Sequence, residues 1–538
     1  MAGLVTASAS LSARGSLLDR KMRRASPLAT AAFLIAISAG LGYIAFHVAQ
    51  DFSVGTSASL STFILLAAAL FIALGFEFVN GFHDTANAVA TVIYTHSLEP
   101  TMAVVLSGIF NLAGVLLSSG TVAFAVIALL PVELILQVQS GSGFAMVFAL
   151  LLAAILWNLG TWWFGLPASS SHTLVGSIIG VGLANQFFGP HPGTSGVDWS
   201  QGLKVIEALV ISPIIGFIFA GLLVLVAKRT AKYPELYETP KDNQPPPTPI
   251  RALMILTCTG VSFFHGSNDG QKGMGLIMLI LIGTVPTVYA LNQNMPPAAI
   301  QQFVSSSQRV EHALDDHSNA TPITLEQADA EVMSFLHSHQ LQAQTIPALR
   351  TLIGDLDSQM SRSGGIKAIP VHQRAQIRNE MYLIDEALHL VGKTNPHFFS
   401  ASNANEVKSY LGEVDKATKF IPTWVKVAVA LALGLGTMIG WKRIVITVGE
   451  RIGKQHLTYA QGASAGLVAM GTILAADYLA LPVSTTHILS SGVAGTMSAN
   501  GSGLHFNTVR NIAAGWVLTL PVAALLSGSL FWILMKLT

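Results

Sequence analysis

The chain has 538 residues, of which 51% are hydrophobic and only 11% are charged, and its formal net charge is +1. This composition excludes an ordinary soluble enzyme and is typical of a polytopic membrane protein. The near-neutral charge gives no basis for a nucleic-acid partner. The single cysteine, Cys258, excludes a disulfide framework and a cysteine-rich metal site.

The first 28 residues are basic and precede an apolar stretch. Residues 1–28 contain five Lys or Arg, and the apolar stretch runs from Leu28 to Val48. That stretch is longer than the roughly 7–15-residue core of a signal peptide. We therefore predict a cytoplasmic N-terminal tail followed by a retained first span, since positive charge favours the inside.

The second apolar run, residues 62–93, contains ionisable residues at its middle, in the sequence Gly81-Phe82-His83-Asp84. A charge at the bilayer centre costs about 2.5–3.5 kcal/mol on insertion scales, so such a residue indicates a functional site. The adjacent glycine favours a break in the helix. Asn87 shares a helical face with Asp84, and Glu77, one further turn away, is either a coupling group or a paired charge.

Two Pro-Ser segments lie between short apolar runs. They are Leu166–His172, within residues 144–188, and Leu481–His487, within residues 457–498. Runs this short cannot each cross the membrane as a helix of about 20 residues. We predict two re-entrant hairpins, whose tips carry the hydroxyls of Ser169, Ser170, Ser171, Ser484, Thr485 and Thr486.

The first motif returns 185 residues later, within residues 250–288, as Gly266-Ser267-Asn268-Asp269-Gly270-Gln271-Lys272-Gly273. Asp269 aligns with Asp84, Asn268 with His83, and Lys272 with Asn87. The two Pro-Ser segments follow in the same order. Two motifs repeated in one order predict a duplicated chain. We assign residues 29–227 to the first repeat with its leading span, and residues 250–291 and 421–538 to the second.

The positive charges orient the two halves. With the N-terminus inside and both hairpins re-entrant, the inside segments contain 15 Lys or Arg, whereas the short outside loops contain only Lys204. This bias places the two motif-bearing spans in opposite directions. Inverted repeats with broken helices that meet near the midplane are typical of secondary transporters.

Two polar segments lie outside the repeats. Residues 228–249, with three consecutive prolines, are predicted to be a stiff cytoplasmic linker. Residues 292–420 are polar and show helical periodicity, which predicts a soluble helical insertion that takes no part in the transport site.

The repeated residues favour a site for an anion and a cation together. Hydroxyls and backbone N–H groups at helix starts suit a tetrahedral oxyanion, and carboxylates suit a cation or proton. Taken singly, an Asp can be a paired structural charge, a Pro-Ser run can be a kink, and His172 and His487 can serve the hairpin fold. A membrane enzyme and a receptor whose insertion reads an external ligand stay open as other classes, although no nucleophile with an adjacent base, metal triad or P-loop is present.

The motifs NGFHDTANAVATVIYT, LPASSSHTLVG, FFHGSNDGQKGMG and LPVSTTHILSSG resemble those of the inorganic phosphate transporter (Pit) family, and the resemblance covers nearly the whole chain. It implies an all-α polytopic protein of the bacterial inner membrane, usually a homodimer in lipid, that carries phosphate with a coupling cation and needs no cofactor. It places phosphate among Asp84, Asn87, Asp269 and the six hairpin hydroxyls, and to these phosphate-binding residues we add Lys272 as a fixed counter-charge.

The chain departs from the family pattern at two positions, because His83 and Lys272 stand where the family has Asn. These departures put sodium coordination in doubt. A histidine can exchange a proton near neutral pH, so we predict proton coupling, with His83, Asp84, Asn268, Asp269 and Glu77 as coupling-ion residues. The family implies that phosphate can travel as a neutral divalent metal complex. Sodium coupling, or another oxyanion such as arsenate or sulfate, is the alternative.

Overall fold

In the computed structural model, helices make up almost all of the regular structure. It describes residues 27–53, 60–130, 141–188, 197, 199–240, 244–315, 323–363 and 365–537. Nearly all of the predicted cytoplasmic tail lies outside these ranges. No β-strand is present in the described part of the chain, apart from an isolated bridge between Gly453 and Leu504.

The helices of the first half are α1 (Pro27–Ser53), α2 (Leu60–Asp84), α3 (Ala86–Tyr94), α4 (Pro100–Leu117), α5 (Thr121–Ile127), α6 (Gly141–Trp163), α7 (Ser170–Phe188) and α8 (Trp199–Thr230). The second half begins with α9 (Thr248–Thr284) and α10 (Pro286–Tyr289). Polar helices follow as α11 (Pro297–Asp315), α12 (Leu325–Ser338), α13 (Thr345–Ser363), α14 (Arg374–Thr394) and α15 (Ala401–Thr418). The chain ends with α16 (Thr423–Met438), α17 (Lys442–Ile446), α18 (Tyr459–Tyr478), α19 (Thr485–Asn500) and α20 (Phe506–Met535).

Six of the described helices are long and apolar enough to cross a membrane: α1, the α2–α3 pair, α4, α6, α8 and α20. The α2–α3 pair counts as one span of 32 residues. The predicted break beside Gly81 is therefore confined to one residue, Thr85, which keeps helical φ and ψ angles of −51° and −38°. The Thr85 hydroxyl donates to the carbonyl of Gly81 at 2.7 Å and to that of Thr437 at 2.8 Å.

The second motif lies within a helix that has no break. α9 runs through all 37 of its residues without interruption, and Cys258 is buried on it, two turns before the motif. The clear interruptions of the chain lie instead at the two Pro-Ser segments, where α6 gives way to α7 and α18 to α19. Proline explains this placement, because it lacks the N–H that a continuing helix needs.

The chain divides into two compact units. The first comprises Met1–His47, Ile64–Leu279 and Pro422–Thr538, and the second comprises Val48–Phe63 and Ile280–Ile421. In the first unit each Pro-Ser segment joins two helices that pack together, α6 with α7 and α18 with α19. α7 packs along α20, α19 packs along α8, and α4 packs along α16.

Glycines allow two of the helix crossings in the first unit to be very close. A methyl group at Gly81 would clash with the Leu433 carbonyl, and one at Gly436 would clash with the Phe78 carbonyl, so α2 and α16 touch backbone to backbone. α9 and α4 meet in the same way, since a methyl group at Gly266 or Gly114 would clash with the facing carbonyls of Asn111 and Phe263. Glycine is the residue that lets helices approach this closely.

The second unit is built from amphipathic helices, chiefly α11 to α15. Its core includes Phe303 and Tyr410, whose ring centroids lie 5.5 Å apart. The N–H of Asn292 donates to the Ala417 carbonyl at 2.8 Å, so the two ends of the polar segment meet. Buried Arg374 donates to the Thr287 carbonyl at 2.9 Å, which satisfies a charge that would otherwise be costly to bury.

Candidate functional site

The second helices of the two hairpins begin at serine caps. The Ser169 hydroxyl accepts the N–H of His172 at 3.1 Å, and the Ser484 hydroxyl accepts the N–H of His487 at 3.1 Å. A serine at this position satisfies one of the free N–H groups of a helix start. These two predicted phosphate-site residues therefore serve as helix caps for α7 and α19.

The N-terminal ends of α7 and α19 meet. The rings of His172 and His487 lie 4.4 Å apart, and His487 stacks on Trp516 at 4.1 Å. The indole N–H of Trp516 donates to the Pro167 carbonyl at 2.8 Å, which ties α20 to the first hairpin tip. Two helix N-termini, each with partial positive charge and free N–H groups, thus converge on one buried region.

Asp84 accepts hydroxyls from both hairpins. Thr486 donates to its Oδ1 at 2.5 Å, and Ser170 and Thr485 lie 3.5 Å from its Oδ2. Asn87, on the same face of the span, donates to Thr486 at 2.9 Å and to Thr485 at 3.2 Å. Asp84 is only 3% exposed, so this carboxylate is held inside the protein by three hydroxyl groups.

Asp269 is paired with a lysine of its own motif. Lys272 Nζ lies 2.7 Å from Asp269 Oδ1 and donates to the hydroxyl of Ser171 at 2.5 Å and to the Val483 carbonyl at 3.3 Å. Asp269 and Lys272 are each 1% exposed. The ammonium group therefore joins the second motif to both hairpin tips.

His83 and Asn268, which occupy equivalent positions of the repeated motif, make different contacts. His83 is buried, with Nδ1 3.5 Å from Asp84 Oδ1 and Nε2 3.1 Å from the hydroxyl of Thr161. Asn268 instead donates to the Leu481 carbonyl at 3.1 Å and accepts the N–H of Val483 at 3.4 Å. Its side chain thus fastens the chain that leads into the second hairpin tip.

Glu77 is fully buried on α2 and accepts the side-chain amide of Asn80 at 3.4 Å. Its carboxylate fills the space that a side chain at Gly273 would need, so it lies against the end of the second motif. The predicted coupling-ion residues are thus all buried in one unit, although Glu77 lies about two helical turns before Asp84.

The sequence analysis did not single out His265, which lies between the two aspartates. Its Nε2 is 3.5 Å from Asp84 Oδ2 and 3.7 Å from Asp269 Oδ2. Its Nδ1 lies 2.7 Å from the amide oxygen of Asn111, a second residue that was missed. The sequence contained one signal for His265, which precedes Asp269 by four residues in an apolar run and therefore shares its helical face.

One nitrogen of His265 and one oxygen each of Asp84 and Asp269 lie within 4.8 Å of one another. Groups this close can share a single cation. Among the described residues, the same region holds three buried carboxyl groups, those of Glu77, Asp84 and Asp269, but one buried ammonium, that of Lys272. Since buried charge is costly unless it is compensated, the arrangement favours the entry of a further positive charge.

The comparison with protein families identifies the chain. A model of the phosphate transporter family matches residues 80–527. The chain belongs to this family.

The relatives that the chain matches in the phosphate transporter family are named as low-affinity carriers. It is 43% identical to the low-affinity inorganic phosphate transporter PitA of Escherichia coli K12, over 88% of this chain and 97% of that protein. It is 28% identical to a probable low-affinity inorganic phosphate transporter of Bacillus subtilis, over 88% of this chain and 97% of that protein. A solved structure, "The sodium-dependent phosphate transporter", is 18% identical with a TM-score of 0.49, covering 88% of this chain and 100% of its own.

Membership of the phosphate transporter family confirms the resemblance inferred from the motifs. The all-helical polytopic fold and the location in the bacterial inner membrane are likewise confirmed. The relatives are transporters rather than enzymes. Within the site, the structure divides the six predicted hydroxyls by contact: Ser169 and Ser484 cap helices, Ser171 meets Lys272, and Ser170, Thr485 and Thr486 meet Asp84.

Proposed function

We propose that the chain imports inorganic phosphate by proton-coupled symport with alternating access. The observation that carries this proposal is the meeting of two capped helix N-termini beside a buried lysine. Helix N-termini attract anions through their dipoles and free N–H groups, and a buried ammonium adds a full positive charge. Phosphate would lie between the hairpin tips, where Lys272, Asn87 and the hairpin hydroxyls that do not cap a helix can donate to its oxygens.

The carboxylates explain why a cation must accompany the phosphate. Asp84 and Asp269 would repel a phosphate anion in a buried site, where screening is weak. A cation that binds beside them removes this repulsion. Coupling then follows from electrostatics, because the anion binds well only when the cation is present.

Two histidines support the proton as that cation. His83 and His265 place a ring nitrogen 3.5 Å from opposite oxygens of Asp84, and both side chains are buried. Histidine changes charge near neutral pH, whereas a sodium ion prefers oxygen ligands. A divalent metal would enter as cargo on the phosphate oxygens, which makes the complex neutral. Sodium coupling is the alternative.

The packing of the first unit supports inverted repeats. A shift of 315 residues relates the two hairpins, and each packs against the last helix of the other half: α7 on α20, and α19 on α8. The glycine crossings repeat as well, because Gly81 and Phe78 of α2 contact α16 in the same way as Gly266 and Phe263 of α9 contact α4. We infer a pseudo-two-fold axis through the hairpin tips, and we place these tips within the membrane. We also propose that two copies of the chain form a homodimer in the lipid membrane.

Phosphate uptake into proteoliposomes tests the proposal. Purified protein is reconstituted, and uptake of labelled phosphate is driven by an inward pH gradient or by an inward sodium gradient, with and without Mg²⁺. Arsenate and sulfate are added as competitors. Empty liposomes, and protein with a collapsed pH gradient, serve as controls.

We expect uptake that follows the pH gradient, persists without sodium and is inhibited more by arsenate than by sulfate. Sodium-driven uptake with no response to pH would replace proton coupling by the alternative. Preferred uptake of sulfate would contradict phosphate as the substrate.

A further inference from the structure

We propose that Asn111 and Thr437 are positioning residues that fix which nitrogen of His265 carries hydrogen. They lie on α4 and α16, outside both repeated motifs. The proposal deepens the proposed function, since it names the groups that prepare His265 for a proton. The orientation itself can be measured without transport.

A chain of hydrogen bonds sets the direction of each donor. The Thr437 hydroxyl donates to the Leu433 carbonyl at 2.9 Å, so its oxygen is available to accept. It accepts the side-chain N–H of Asn111 at 3.1 Å, which turns the amide oxygen of Asn111 towards His265. That oxygen lies 2.7 Å from His265 Nδ1 and can only accept. Nδ1 must therefore carry the hydrogen.

This hydrogen on Nδ1 decides what faces the aspartates. In neutral His265 the other nitrogen, Nε2, then bears a lone pair, and it has no hydrogen-bond partner among the described residues. It points at Oδ2 of Asp84 and Oδ2 of Asp269, two further acceptors. Neutral His265 therefore places three acceptors together. A proton on Nε2 turns this repulsion into attraction to both carboxylates at once.

Neighbouring groups bind Oδ1 of each aspartate more closely than Oδ2, although the Ser170 and Thr485 hydroxyls also lie 3.5 Å from Oδ2 of Asp84. On α9, Lys272 binds Oδ1 of Asp269. On α2, His83 lies near Oδ1 of Asp84, and Thr486 of α19 donates to that same oxygen. The Oδ2 atoms are thus the ones directed at His265. Glu77 lies against Gly273 rather than against the ring. Asp477 of α18 accepts hydrogen bonds from Ser267 and Gln271 of α9. The titratable rings of His172 and His487 lie against each other at the hairpin tips.

The other half of the protein lacks this arrangement. The equivalent residues can be read from the glycine crossings, in which Gly81 corresponds to Gly266 and Gly436 to Gly114. By this correspondence, Asn80 stands in place of His265, Leu433 in place of Asn111, and Val115 in place of Thr437. Neither Leu433 nor Val115 has a side chain that can accept or donate a hydrogen bond. Of the two glycine crossings, that of α9 and α4 is therefore the one that can orient a histidine.

The test compares three single variants in the full-length protein. Asn111→Leu removes the acceptor, and leucine fits the equivalent crossing at Leu433. Asn111→Asp keeps an acceptor. Ser107→Ala is the matched control, because Ser262 donates to Ser107 at 2.8 Å across the same two helices, one turn away. Each variant is assayed for pH-gradient-driven phosphate uptake across a pH series, and ¹⁵N-histidine NMR reads the tautomer, with His265→Gln assigning the signal.

We expect Asn111→Leu to lose the Nδ1–H signature and to reduce pH-driven uptake by about tenfold or more, as is typical when an orienting partner of a functional histidine is removed. Asn111→Asp should keep the signature and substantial uptake, with its pH profile moved to higher pH, because a carboxylate stabilises a charged imidazole. Ser107→Ala should leave both readouts unchanged.

Three results would overturn the proposal. They are an unchanged tautomer in Asn111→Leu, an equal loss of uptake in Ser107→Ala, or failure of Asn111→Asp to keep the signature. If wild-type uptake ignores the pH gradient while the tautomer still depends on Asn111, then proton coupling fails and the positioning role stands.

Discussion

The two motif-bearing segments, α2–α3 and α9, place an aspartate at equivalent positions but compensate its charge differently. Asp84 is surrounded by neutral hydroxyls from both hairpins, with two histidines nearby. Asp269 is bound by Lys272, which carries a fixed charge. Two copies of one motif thus place a buried carboxylate in different surroundings, hydroxyls and histidines in the first copy and an ammonium group in the second.

Removing either aspartate should give the largest effect. We expect Asp84→Asn and Asp269→Asn each to lower phosphate uptake by about a hundredfold or more, since each change removes a buried carboxylate that would bind the coupling cation. Uptake of labelled phosphate in proteoliposomes measures this. Size-exclusion profiles verify that each variant inserts and folds.

The double variant Asp269→Asn with Lys272→Gln separates a loss of folding from a loss of transport. It removes the unpaired ammonium that Asp269→Asn leaves behind, so its folded yield should recover while uptake stays low. Wild-type uptake in both single variants would contradict the assignment of the site.

Making the second motif more like the first should have an intermediate effect. Lys272→Asn installs the residue found at Asn87, and it removes a charged hydrogen bond worth about 1.5–3 kcal/mol. We expect the KM for phosphate to rise about tenfold, with a smaller change in kcat. Lys426→Gln is the control, because Lys426 donates to the Ser118 carbonyl in the same unit. An unchanged KM in Lys272→Asn would remove the lysine from the anion site.

Making the first motif more like the second should act on coupling. His83→Asn removes one of the two histidines beside Asp84, so the pH profile of uptake should shift while the KM for phosphate stays within about threefold of wild type. Thr161→Val, which removes the partner of His83 Nε2, should give a weaker change of the same kind. Normal pH-driven transport by His83→Asn would clear this residue and leave His265 as the proton carrier.

The smallest effect on uptake should come from the polar helices of the second unit, which lie between α10 and α16. Burial raises the pKa of Glu380 to about 7, repulsion from Asp355 and Asp329 adds to this, and the hydrogen bond from Gln376 opposes it. The folded state thus holds a proton that the unfolded state releases, so stability falls as pH rises from the usual glutamate range through about 7.

The substitution Glu380→Gln should remove this pH dependence and leave uptake unchanged. Hydrogen exchange of Arg374–Thr394 in the full-length protein, at pH 5.5 and 8 and corrected for intrinsic rates, checks it. Equal protection at both pH values in the wild type would contradict the expectation, as would a loss of uptake in the variant.

Local sequence patterns were sufficient to predict the helical polytopic fold. The Pro-Ser segments predicted the points at which α7 and α19 begin, because proline and serine act within a few residues of themselves. The repeated motifs also predicted that Asp84 and Asp269 are buried polar residues in apolar runs.

The partners of these residues could not be predicted, since they come from distant parts of the chain. Thr486 lies 402 residues from Asp84 along the chain, and Asn111 lies 154 residues from His265. The sequence likewise could not show that Ser169 and Ser484 cap helices while their neighbours face Asp84. That division depends on the backbone direction at each tip.

The single buried thiol of Cys258 has a consequence for labelling chemistry. Cys258 is 1% exposed, and its carbonyl accepts the Ser262 hydroxyl at 2.7 Å. Impermeant maleimides should therefore leave the wild-type chain unmodified, and Cys258→Ser should provide a thiol-free background at little cost. A cysteine introduced at Trp163 or at its repeat equivalent Tyr478, both exposed, then reports from which compartment each half is reached.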